Sequence, residues 1–125
     1  MAAPNIVNVA TITGITTMVN IANANTSNVI LSNANSSGKV MKINTITAAN
    51  IDGIADVDVT IKLCNQAAGA GTSFAIANTV SVGADATLVA VSKDAPIYLE
   101  ENRSIIALAS AADDVCVICS YEEIS

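Results

Sequence analysis

Residues 55–65 read ADVDVTIKLCN. Val57, Val59, Ile61 and Leu63 alternate with Asp58, Thr60, Lys62 and Cys64. Along an extended chain successive side chains point to opposite sides, so this spacing makes one apolar face and one polar face. Such a strand is half-buried, as in an antiparallel sheet with one side on a core. The stretch is a strand, and its period of two can be followed outward through the chain.

The same alternation predicts strands over residues 6–13, 17–21, 28–31, 39–47, 74–82, 86–91, 103–110 and 115–122, with a short piece at 97–99. Turn-rich segments separate them: ANANTS, NANSSG, AANIDG, NQAAGAGTS, VGAD, SKDAP, EEN and AADD. Short strands divided by turn signals about every 8–12 residues indicate an all-β fold. The expectation is a single-domain antiparallel β-sandwich spanning 1–125, jelly-roll-like or immunoglobulin-like, with about eight or nine short strands. In KVMKINTIT, Met41 and Ile43 share a parity that Ile46 breaks, and a β-bulge there would return Ile46 to the inward face. NQAAGAG carries two glycines and makes a poor helix.

The composition supports this reading. Hydrophobic residues make up 52% of the chain but aromatics only 2%, so Ala, Val and Ile supply the apolar mass. β-branched residues in such quantity suit a pleated surface. The net charge is −6, and five Lys and Arg scattered over the chain form no stripe that could follow a phosphate backbone. Nucleic acid is therefore not an expected direct partner. Nor is a membrane, because no unbroken apolar run reaches the ~20 residues of a spanning helix. The first ten residues lack the basic and apolar regions of a secretory signal, which points to synthesis in a cytoplasm.

Catalytic constellations do not emerge. Cys116 and Cys119 form a C-x-x-C, but a zinc site needs about four converging ligands. The chain has no histidine, and only Cys64 could join the pair. On a strand the two cysteines have opposite parity and face opposite sides. They read as small packing residues, with Val115, Val117, Cys119 and Tyr121 on one face and Cys116, Ile118 and Ser120 on the other. A strand apolar on both faces is central to a sandwich or covered by another chain. Without histidine there is no Ser–His or Cys–His nucleophile, and no G-x-S-x-G elbow occurs. Asp52, Asp56 and Asp58 lack the spacing and closing Glu of a calcium loop, and Asp52-Gly53 reads as turn chemistry. The expected catalytic, cofactor and metal sets are all none.

The blocks SSGKVMKINTITAANIDG (36–53), ADATLVAVSKDAPIYLEENRSI (84–105) and VCVICSYEEIS (115–125) resemble a family of small virion structural proteins of tailed phages, especially phages of marine cyanobacteria. The resemblance runs from about Asn8 onward and rests on strand and turn motifs. One departure is Asn102, where such turns often carry Gly; Asn also tolerates a left-handed backbone. The resemblance implies a non-enzymatic capsid decoration or cement protein on the capsid exterior. Its partner would be the major capsid protein, and it would form a homo-oligomer, a trimer. A tail, baseplate or fibre-associated module is the alternative, and a glycan- or calcium-binding β module a third. Contact residues are expected in the turn at Glu100, Glu101 and Arg103 and in the tail at Tyr121, Glu122 and Glu123, which combine charge with an anchoring side chain.

Overall fold

The computed structural model describes Pro4 and residues 6–125; Met1–Ala3 and Asn5, part of the span expected to form the domain, lie outside the described residues. Every regular element among the described residues is a strand. Sheet A holds β1 (Ile12–Asn20), β9 (Val115–Ile124) and β3 (Val40–Asn50) in that order. Along the far side of β3 run β6 (Thr87–Val91) and β7 (Ile97–Leu99). Sheet B is ordered β2 (Asn28–Asn33), β8 (Arg103–Ala109), β4 (Val57–Cys64) and β5 (Ser73–Val82). All neighbours pair antiparallel.

With β6 and β7 taken as one interrupted edge strand, the sandwich has eight strands. The chain changes sheet at nearly every connection, the β4–β5 hairpin being an exception. This is the jelly-roll order, not the immunoglobulin order, whose sheets are built from different neighbours.

β3 shows why the order works. Ile43 pairs with Tyr121 and Thr45 with Ser120, so Asn44 is an extra residue in the ladder. The bulge lets Met41 and Ile43 point inward on one side of it and Ile46 and Ala48 on the other, all four buried. It lies level with the gap between β7, which pairs with Met41–Ile43, and β6, which pairs from Ile46. The core is otherwise aliphatic, with Val57, Val59, Ile61, Leu99, Ile105, Val115 and Val117 almost fully enclosed. Tyr121 is its one aromatic member.

The first strands differ from expectation. Residues 6–11 form no strand, and β1 runs unbroken through Gly14, which the alternation had treated as a break. The reason is the partner. Thr11 and Ser125 exchange hydrogen bonds, and the Ala10 amide bonds the same Ser125 carbonyl (2.8 Å) instead of extending the ladder. Gly14 stays extended opposite Glu122. The remaining strands fall within a few residues of their expected bounds, and Asn102 takes a left-handed φ of 55° in the β7–β8 turn.

Two buried asparagines hold the sheets together at opposite ends. Asn33, at the end of β2, donates to the carbonyls of Lys39 (2.9 Å) and Leu99 (3.1 Å) and accepts from the Ser37 hydroxyl (2.6 Å). Asn50, at the end of β3, donates to Ala55 (2.9 Å) and Val82 (3.0 Å) and accepts from the Asp52 amide (3.0 Å). Each joins one sheet to the other with a fully used amide.

Two outcomes are expected in urea unfolding. Deleting Asn44 forces one apolar half of β3 outward and abolishes the cooperative transition, whereas Asn44→Ala changes stability by about 1 kcal/mol or less. Asn50→Ala leaves buried carbonyls without their donor and costs about 2–3 kcal/mol.

Candidate interaction surface

The outer face of sheet A follows from its register. Met18 pairs with Ile118, Ile118 with Thr47, and Thr47 with Val89. These four point away from the core, and they draw a row across four strands from four distant parts of the chain, apolar except at Thr47. Met18 is 76% exposed, Ile118 42% and Val89 58%. Beside the row lies an open apolar groove of about 330 Å³ lined by Met18, Val19, Asn20, Cys116, Val117 and Ile118. Exposed apolar side chains gathered on one face make it a candidate for contact with another molecule.

The cysteines divide between the two faces as their parity requires. Cys119 is buried in the core, and burial pushes its thiol up to about 12. Cys116 faces the groove, its sulfur 3.9 Å from Asn20 Oδ1. Cys64 is buried at the end of β4. Burial works against its ionisation, but the amides of Gln66, Gly71 and Asn65 and the Ser104 hydroxyl outweigh it and hold the thiol below its ordinary value. The loop at 65–72 is tied down elsewhere as well, with the Ser104 and Ser32 hydroxyls donating to the carbonyls of Gln66 and Ala67, each at 2.7 Å. Among the described residues no group of three or more His, Cys, Asp or Glu is placed to hold a metal ion.

The residues expected to touch a partner come together at one end. Leu99 pairs with Met41, and Met41 pairs on its other side with Glu123, so the 100–103 turn and the tail flank the same stretch of β3. Glu100 is exposed. Glu101 holds one carboxylate oxygen out of solvent without a hydrogen-bond partner. Arg103 is occupied within its own molecule, reaching the carbonyls of Asn65 in the 65–72 loop (3.3 Å) and of Asn102 (3.2 Å). Glu123 forms an ion pair with Lys39 at 2.8 Å, and Glu122 pairs across the ladder with Lys42. Tyr121 faces the core and is only 8% exposed. Burial, then the neighbouring Glu123 carboxylate, push its hydroxyl above the ordinary value. Its ring belongs to the core, while Glu100 is exposed and Glu122 and Glu123 are half-buried around it.

Charge is unevenly distributed. Asp52, Asp56, Asp58, Asp85, Asp113 and Asp114 gather at the opposite end, where backbone bonds join Asp85 to Asp52 (3.1 Å) and Ile51 to Asp114 (2.8 Å). No Lys or Arg lies there. The five cations match the five remaining acids, so the whole net charge of −6 resides at the aspartate end. Ile54, 94% exposed, projects from the same loops.

No family model matches the sequence, and no curated protein matches it. Among solved structures, the fold is similar to that in Bacillus endospore appendages, a family of disulfide-linked pili. That TM-score is 0.51 at 18% identity, over 92% of this chain and 88% of that one. It is also similar to a protein of the T13 IBDV viral particle, with a TM-score of 0.52 at 6% identity. There the match covers 93% of this chain but 31% of the other, so this chain spans less than a third of that protein. A pentameric capsid protein from metagenomic phage sequences aligns at a TM-score of 0.36, too low to carry weight. At these identities the likeness is one of fold: a β-sandwich of the kind found in a pilus and in a virus particle.

The apolar row was not legible from any single segment, because it exists only in the register between strands. Ile118 was the visible part of it, as the outward apolar residue of β9.

The thiol placement predicts the following labelling. A bulky thiol reagent at pH 8 modifies one cysteine per chain, Cys116, and three after denaturation; mass spectrometry of the digested protein assigns them.

Proposed function

We propose that the chain is a non-enzymatic structural subunit of a virion, a decoration or cement protein on the capsid exterior that strengthens contacts between major capsid protein subunits. The observation that carries this reading is the apolar row of Met18, Ile118 and Val89 on the outer face of a complete sandwich. The β-sandwich closes its own core, so this row is free to be covered by another chain. Burying a side chain of this size contributes about 1.5–3 kcal/mol. That is modest for one contact, but repeated over a symmetric lattice it adds up through multivalency. The function is mechanical: each seated copy raises the cost of separating the capsid subunits beneath it. The sequence resemblance and the viral-particle fold match support this reading. The resemblance implies a trimer, whereas the open edge of β1 favours association in twos.

A second reading is a subunit of a filament, tail or fibre. It is favoured by the match to the pilus structure, which covers nearly all of both chains, unlike the viral match.

Purified protein mixed with phage heads stripped of it, and separately with isolated tails, separates the two on sedimentation. Saturable pelleting with heads, weakened about tenfold or more by Ile118→Lys, is the expected result. Pelleting with tails alone, or sedimentation of the protein by itself as long polymers, favours the second reading and overturns the first.

A further inference from the structure

The four sheet edges are not alike. Edge strands present unpaired amides and carbonyls, and proteins blunt them with bulges, prolines, charges, interruptions or covering loops. β2 is bulged between Val29 and Leu31, and the 65–72 loop packs over it, with Gly69 against Val29 and Ile106. β5 is broken twice in register and carries Thr79 at a φ of 50°. β6 and β7 are separated by residues 92–96, which include Lys93, Asp94 and Pro96. Among the described residues, β1 alone has none of these protections. Its nine residues, ITGITTMVN, contain no charge and no proline and keep an unbroken register against β9.

Which groups face the open side can be read from the ends of the ladder. Thr11 and Ile21 both direct their amides to β9, at Ser125 (3.0 Å) and Val115 (2.9 Å). Antiparallel residues alternate in this respect, so the odd-numbered residues between them also face β9. Ile12, Gly14, Thr16, Met18 and Asn20 direct both amide and carbonyl outward. Gly14 is a second, independent sign. It has no positive φ, and a Cβ there would meet nothing within 4 Å, so nothing inside this molecule calls for glycine. A glycine inside a strand often marks close approach by another backbone.

We infer that β1 pairs antiparallel with β1 of a second copy, about a two-fold axis at Thr16, joining two A sheets into one. With a single unprotected edge among the described residues, the contact is self-complementary and closes as a dimer. The register centred on Thr16 uses every outward residue. It sets Ile12 opposite Asn20, Thr16 opposite itself and the long Met18 side chain over Gly14 of the second copy. Facing threonines are favourable cross-strand neighbours. The two apolar rows then lie on one face of a continuous sheet, so the surface offered to a third protein doubles.

This inference rests on the reading of the chain as an assembly subunit, but the two fail separately. Light scattering at about 100 μM is expected to give twice the 12.6 kDa chain mass. Thr16→Pro removes an outward amide and leaves the β1–β9 bonds intact, so it weakens the dimer by about thirty-fold or more while the chain still folds. Hydrogen exchange on the unaltered protein gives the same answer without a variant. The amides of Ile12, Gly14, Thr16, Met18 and Asn20 are protected when concentrated and exchange freely on dilution, while those of Ile15, Thr17 and Val19 stay protected throughout. A monomer or a trimer by mass, or even-numbered amides that exchange freely at every concentration, overturns the pairing. Saturable binding to heads by a strictly monomeric protein would do so while leaving the proposed function standing.

Discussion

Everything in this sandwich depends on the inward face of β3 staying apolar over eleven residues whose sequence changes parity half-way. A strand has no means of rotating its side chains from one face to the other except by gaining or losing a residue in the ladder. The bulge at Asn44 does this. It delivers Met41 and Ile43 and then Ile46 and Ala48 to one interior, and it coincides with the place where the edge strand breaks into β6 and β7. Because the core is almost wholly aliphatic, no large ring could reach across to repair a strand turned the wrong way. Backbone register, more than any individual contact, determines whether the two sheets can close on each other.

The two asparagine clamps complete that closure. Each sits where a strand leaves its sheet, and each uses its amide on carbonyls that would otherwise lose their partners at the rim. Buried polar groups so placed fix geometry, because a small slip of one sheet over the other would leave several of them unsatisfied together. The rims are thus firm enough to present short, well-ordered turns, including the glutamate turn and the aspartate loops.

Legibility varied with the range of the interaction involved. The alternation in β4 and the parity break at Ile46 are local, and both could be read from neighbouring residues. The opposite facing of Cys116 and Cys119 and the left-handed Asn102 could be read in the same way. The start of β1 could not be read locally, since the bonds that mark it, between Thr11 and Ser125, join residues more than a hundred positions apart. Asn33 and Asn50 looked like any other turn asparagine, because their buried partners lie in other strands. Tyr121 was correctly placed on the face of Val115, Val117 and Cys119, yet that same placement puts its ring in the core, away from a contact surface. The apolar row needed the register of four strands before it could be seen at all.

The segregation of charge has a consequence for how copies can grow together. A body whose entire net charge lies at one end has a permanent electric dipole directed to that end, and its aspartate ends repel one another within the screening length of about 8–10 Å. Tip-to-tip stacking of like ends is therefore disfavoured. The sides of the molecule meet no such barrier: their outer strands are uncharged, and neighbours lying antiparallel oppose and cancel their dipoles. The direction in which this protein can be built into a larger body is set as much by where six aspartates are kept as by where its apolar residues are shown.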